Sequence, residues 1–218
     1  MAMVPRRPRE PTRDRLQSRS GRPRATGPAG QDTRHRECIA VVAARLIVEH
    51  GLADWSIAKR KAARQLMLPE GEPLPADSDV ESALLAHHAL FGGDAHARSL
   101  RAQREEALRW MRELAIFHPA LTGGVAAGWA TAHSDICIEL VADDSKAVEL
   151  ALINRGVAYR SAPTGSQAAA ELHIDTWLGG VRLITRTPTL ARQRPRRDRH
   201  GREEPRLDAD AVADLLKS

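Results

Sequence analysis

Aromatic residues are scarce in this chain: four Trp, two Phe and one Tyr make up 3% of its 218 residues. Any core must therefore be aliphatic, and a hydrophobic content of 42% is enough to build one of ordinary size, with room for a subdomain or tails. Lysine is nearly absent too, at positions 59, 61, 146 and 217 only, so the positive charge is carried by arginine. Two cysteines, Cys38 and Cys137, exclude a disulfide framework and offer no metal-ligand spacing. No long hydrophobic run exists. The longest apolar stretch, Cys38 to Val48, is broken by Arg45, which excludes a membrane span. The Arg- and Pro-rich N-terminus lacks the apolar region of a secretory signal, so a cytoplasmic protein is expected.

The net charge of +5 is unevenly placed. Residues 1–36 carry ten Arg against three acids, and residues 182–206 carry nine Arg against three acids. The body between them, 37–181, has thirteen bases and nineteen acids and is mildly acidic. Basic ends attract polyanions by counterion release, which makes weak nucleic-acid binding through them an expectation, with plain solvated tails as the alternative. Residues 1–31, with five prolines among the arginines, cannot bury a core and read as a disordered tail.

Residues 32–118 read as a helical region. Asp32 or Thr33 can cap a helix to about His50, with Ile39, Ala43, Leu46, Ile47 and His50 on one face. Asp54 caps a second helix that ends before Pro69, with Trp55, Ala58, Ala62 and Leu66 inward and Arg60, Lys61 and Arg64 outward. Ser78 and Glu81 suggest a capping box for a third helix through Phe91. Gly92-Gly93 then breaks the chain, and Asp94 caps a fourth helix to about His118. His87, His88, His96 and His133 show no metal spacing and read as solvated.

The pattern changes after Pro119, and residues 119–187 read as a small mixed-sheet core. A short strand near 120–123 meets Gly123-Gly124, then a short helix near 125–132 and a strand from Asp135 to Val141. A helix capped near Asp143, Asp144 or Ser145 runs to Arg155, and a strand follows near 157–161. Ala170 to Trp177 alternates as a half-buried strand, Gly179-Gly180 makes a turn, and residues 181–187 return as a strand. Residues 188–218 add a basic tail and a short final helix. The fold class expected is α+β, a helical N-terminal region followed by the sheet domain.

The chemistry concentrates at Gly123-Gly124 and Ser134-Asp135-Ile136-Cys137-Ile138-Glu139. A glycine turn opening a helix exposes backbone N–H groups suited to phosphate. Strand alternation puts positions 135, 137 and 139 on one face, and carboxylates there suit Mg²⁺. The glycine pair, the interval to Asp135 and the acid-led apolar strand resemble the polymerase-β-like nucleotidyltransferase superfamily. The resemblance covers roughly residues 116–187. The layout also resembles uncharacterised bacterial proteins in which a stretch like Ala58 to Arg64 precedes such a core.

The resemblance implies Mg²⁺-dependent transfer of a nucleotide from an NTP to an acceptor. Gly123, Gly124 and Ser134 would hold phosphate. Asp135 would hold metal and carry catalysis, joined by Glu139 or Asp175, with Glu171 a further candidate. Three positions depart from the family pattern. Gly124 stands where Ser is commoner, Cys137 stands at the second acid, and Gly180 precedes Val181-Arg182-Leu183 where the third acid is usual. A thiol is a poor Mg²⁺ ligand. The rival reading is therefore a catalytically degenerate domain that binds nucleic acid or protein, or a regulatory partner dimerising through its helical half. Trp129 and Trp177 could stack on a base, core or rim packing being the alternative.

Overall fold

A computed structural model describes residues 28–52, 54–162, 168–192, 203 and 205–217. The expected disorder of residues 1–31 lies largely outside these. Within them the fold is α+β, a helical N-terminal region followed by a five-stranded mixed sheet.

Helix α1 spans Pro28–His50, so it begins four or five residues before the Asp32 or Thr33 expected to cap it. Proline suits this start because its missing N–H would have had no helical partner there. α2 (Trp55–Gln65) is capped by Asp54, whose carboxylate accepts from the Ile57 amide at 3.1 Å. α3 (Asp77–His87) starts before Ser78: the Asp79 carboxylate accepts from the Ala76 amide at 2.9 Å. These three helices share a core of Ile39, Ala43, Leu46, Ile47, Ala58, Ala62, Val80 and Leu84. It is aliphatic, as the composition requires.

A π-helical turn at His88–Gly92 continues α3, and Gly93, at φ 48 and ψ −154, leaves the helical region, so the helical path is interrupted at the expected glycine pair before α4 (Gly93–Glu113) runs on. His88 stacks on His96 there, with ring centroids 3.7 Å apart and planes at 7°. A Cβ on Gly92 would lie 2.9 Å from that of His96, so glycine at 92 makes room for the histidine. His87 meets the edge of His88, so these three histidines pack on one another instead of standing free in solvent.

β1 (Ala120–Thr122), α5 (Gly123–Ala127), β2 (Ile136–Val141), α6 (Ser145–Ile153), β3 (Arg160–Ala162), β4 (Ala170–Thr176) and β5 (Gly179–Arg186) follow. The sheet order is β1-β2-β5-β4-β3, with only β2 and β5 parallel. Trp177 and Leu178, not Gly179-Gly180, form the β4–β5 turn, because Thr176 pairs with Gly179 at φ 119. Gly180 therefore lies inside β5, opposite Asp175.

Side-chain alternation gives the sheet two unlike faces. Ile136, Ile138, Leu140, Leu172, Ile174, Val181 and Leu183 are buried against Trp110 and Met111 of α4, Leu114 just after it, and Val148 and Leu152 of α6. The opposite face carries Asp135, Cys137, Glu139, Glu171, His173, Asp175, Arg182 and Arg186. The chain ends in α7 (Pro188–Ala191) and α8 (Ala209–Leu215). Leu207 pairs with Leu121 through two backbone hydrogen bonds of 2.8 and 2.9 Å, extending the β1 edge, and Val212 of α8 is fully buried in the sheet core. Among the described residues no helix is long and apolar enough to cross a membrane.

Candidate functional site

The glycine turn and Asp135 meet because β1 and β2 are antiparallel neighbours, Thr122 pairing with Cys137. Gly123 has φ 66, in the left-handed region that favours glycine, and this sharp turn carries β1 directly into α5. Gly124 has a different reason. An added Cβ would lie 2.6 Å from the Trp129 ring, whose atoms cover it. The Gly124 carbonyl accepts from the amides of Gly128, Trp129 and Ala130 at 2.8, 3.0 and 3.1 Å, which folds the tryptophan back over the glycine. The absence of serine at 124 is thus a packing consequence of Trp129.

The loop into β2 is held from below. Gln103 of α4, buried, donates to the carbonyls of Thr131 at 2.9 Å and Ser134 at 3.3 Å. The Ser134 hydroxyl accepts from the Thr131 amide at 2.9 Å and so closes this turn, while the residue also lines the cleft beside Asp135. Asp135 emerges next, partly exposed, beside Gly180. A Cβ on Gly180 would collide with Asp135 Oδ1 and lie 2.5 Å from His173 Nε2. The space where a third acid would begin is filled by these two side chains.

Cys137 lies under the turn, its Sγ 3.7 Å from where a Gly123 Cβ would be, and it pairs in register with Arg182. Arg182 places Nε and Nη2 each 2.9 Å from the Glu171 carboxylate. Burial pulls its pKa down, but Cys137, Glu171 and Asp135 together outweigh that and hold the guanidinium more firmly charged than usual.

The other expected acids are engaged elsewhere. Glu139 is 5% exposed and clamped between Arg186, at 2.5 Å, and Arg206 of the C-terminal segment. Asp175, exposed near the β4–β5 turn, is 2.6 Å from Arg160 and 3.9 Å from His173. Asp135, Glu139 and Asp175 share a sheet face, as alternation requires, but of the three Asp135 alone lines the cleft beside the glycines. Among the described residues no three His, Cys, Asp or Glu side chains converge as a metal-binding group. Asp54, Asp77 and Asp135 line the cleft without converging, so a hard ion such as Mg²⁺ would meet single carboxylates there and not a ready-made ligand set.

The cleft itself has a volume of about 510 Å³, within the range of small-ligand sites. Its floor is the Gly123, Asp135, Cys137 and Arg182 cluster. Its far wall comes from the helical region, from the start of α2 (Asp54, Trp55, Ser56) and from Asp77 of α3. Trp55 meets Trp129 at 5.0 Å between centroids, tilted by 58°. Lys59, from the basic stretch of α2, is 8% exposed and bonds Asp77 at 2.5 Å. Arg182, His173 and this whole wall are not among the residues the sequence pattern singles out for a site. The apolar-Arg-apolar sequence is a signal for Arg182; nothing local signals the others. Trp177 is 84% exposed on the hairpin turn and does not line the cleft.

Comparison of the chain with family models and with curated proteins finds no match.

Proposed function

We propose that the cleft binds a Mg²⁺-bound nucleoside triphosphate and that the domain is a nucleotidyltransferase of polymerase-β-like type. The observation that carries the reading is the convergence of the Gly123-Gly124 turn, Asp135 and Arg182 on one cleft floor. Backbone amides at the turn and the Arg182 guanidinium are suited to phosphate oxygens. Asp135, the carboxylate beside that turn, would take the nucleotide's Mg²⁺. Transfer would form a bond from an acceptor oxygen to the α-phosphorus, break the α–β bridging P–O bond, release pyrophosphate and pass the acceptor proton to solvent. The proposed setting is the cytoplasm, where NTPs and Mg²⁺ are at hand. The Arg-rich ends, mostly outside the described residues, are proposed to add weak nucleic-acid affinity.

A second reading is favoured by one observation: Glu139 and Asp175 are paired with arginines and Cys137 holds the remaining acid position. On that reading the nucleotide binds without transfer and the domain acts as a regulatory or binding module. Calorimetry with Mg·NTP on the wild type, Asp135→Ala and Cys137→Asp tests both. The expectation is Mg²⁺-dependent binding, lost in Asp135→Ala and strengthened in Cys137→Asp, where a second carboxylate joins the first. Equal binding by all three proteins, or none by any, refutes the nucleotide site. Pyrophosphate release on incubation with NTP and RNA or protein acceptors separates transfer from mere binding.

A further inference from the structure

A nucleotide has two ends, and the cleft has two unlike ends to match. The phosphate end belongs to the glycine turn, Asp135 and Arg182. From there the cleft continues past Trp129 to Trp55 and Asp77, which belong to a different part of the chain. Two of the four tryptophans in the sequence meet on this path, 5.0 Å apart, in a protein with few aromatic side chains. Trp129 is held by Gly124, so its place is tied to the same turn that would take phosphate. Asp77 is fixed by Lys59 at 2.5 Å, yet its side chain stays 71% exposed.

Resting on the nucleotide reading above, we propose that the helical region supplies the base subsite and that it selects a purine. A purine ring packs against the Trp55–Trp129 pair, and the Asp77 carboxylate accepts a hydrogen bond from an exocyclic amino group. Stacking is tolerant of sequence but grows with ring area, so purines outrank pyrimidines. A carboxylate at the ring edge favours bases that present an amino group, and uracil has none. The helical half is then part of the binding site rather than an appended module. The basic stretch of α2 also acquires a role, since its Lys59 orients Asp77.

The experiment compares Mg²⁺-bound ATP, GTP, CTP and UTP with inorganic tripolyphosphate by calorimetry, on the full chain. The expected order is ATP or GTP tightest, UTP weakest among the nucleotides, and tripolyphosphate weaker than ATP. Trp55→Ala should weaken ATP by roughly tenfold or more, the loss expected for one stacking contact. The same variant should leave tripolyphosphate unchanged, which also reports that the phosphate end is still folded. Trp55→Phe should keep most of the affinity, and Asp77→Asn should shrink the ATP-over-UTP preference. If nucleotides and tripolyphosphate bind alike and Trp55→Ala changes neither, the base subsite is overturned while the phosphate site stands. If neither tripolyphosphate nor any nucleotide binds, the nucleotide reading itself falls and takes the subsite with it.

Discussion

Substituting Gly124 by alanine sets two effects of opposite sign against each other. Gly124 sits in α5 with no positive φ, so its backbone does not demand glycine. On helix propensity alone alanine would be favoured by up to about 1 kcal/mol, and by less in a helix of five residues. Against this, the new Cβ would lie 2.6, 2.7 and 2.9 Å from three atoms of the Trp129 ring. Carbon contacts are comfortable at roughly 3.5–4.0 Å, so the ring must retreat by about 1 Å. That retreat is resisted by Trp55 and by the three amides bonded to the Gly124 carbonyl. Overpacking of this kind costs roughly 1–3 kcal/mol. The clash wins, and Gly124→Ala should destabilise by about 1–2 kcal/mol. For a chain of this size that lowers Tm by roughly 2–8 °C. Serine should do the same. Urea unfolding gives the stability, and near-UV circular dichroism reports the tryptophan pair. In a Trp129→Ala background the same Gly124→Ala change should become neutral or stabilising, a coupling of about 1–3 kcal/mol. A gain in Tm in the wild type, or an equal loss in both backgrounds, would show that Trp129 is not why position 124 is glycine.

Glu139→Gln should cost about 2–3 kcal/mol in urea unfolding, because it leaves Arg186 and Arg206 without their anion. This is below the roughly 3–5 kcal/mol of a fully buried pair because Arg206 is partly exposed. Unchanged stability would show that the clamp holds nothing. His88 supplies a pH dependence. Burial first, then the stacked His96 and the adjacent His87, lower its pKa below the ordinary 6.5, although a backbone hydrogen bond at Trp129 opposes them. The folded state therefore prefers neutral His88, and the unfolded chain binds the proton more readily. That contribution is intact above about pH 6.5 and is lost as the pH falls toward the lowered folded value. The urea midpoint should drop as the pH falls below about 6.5 in the wild type and drop less in His88→Gln; parallel pH profiles would count against it.

Periodicity makes the local elements legible. The alternation of Ala170 to Thr176 becomes β4 and the apolar run of Ile136 to Val141 becomes β2, because a two-residue period can bury only one face. The interval from Gly123 to Asp135 is likewise enough to expect the turn beside the acid strand, since a short helix and a tight loop leave the chain few other paths. Helix ends are less legible. Pro28 and Asp79 act through local backbone and hydrogen-bonding preferences that several nearby residues could equally have supplied.

What the chain order could not specify is which charge each acid meets. Glu139 and Asp175 have the right alternation to stand with Asp135, but Arg206 reaches Glu139 from 67 residues away and Arg160 reaches Asp175 from the neighbouring strand. Local patterning orients a side chain toward a face, while its partner on that face is chosen by strand register and by whatever segment crosses it. The same holds for the two glycines at which the sequence departs from the pattern it resembles. Gly124 and Gly180 look like lost functional groups in the sequence; in three dimensions they are the space taken by Trp129 and by Asp135 with His173. The elements, the amphipathic sheet and the glycine turn can all be read from the order of residues, because each depends on neighbours along the chain. That one of the three expected carboxylates opens to the cleft, and that Trp55 and Asp77 of the helical region form its far wall, emerges only on folding, because both depend on residues distant in sequence being packed together.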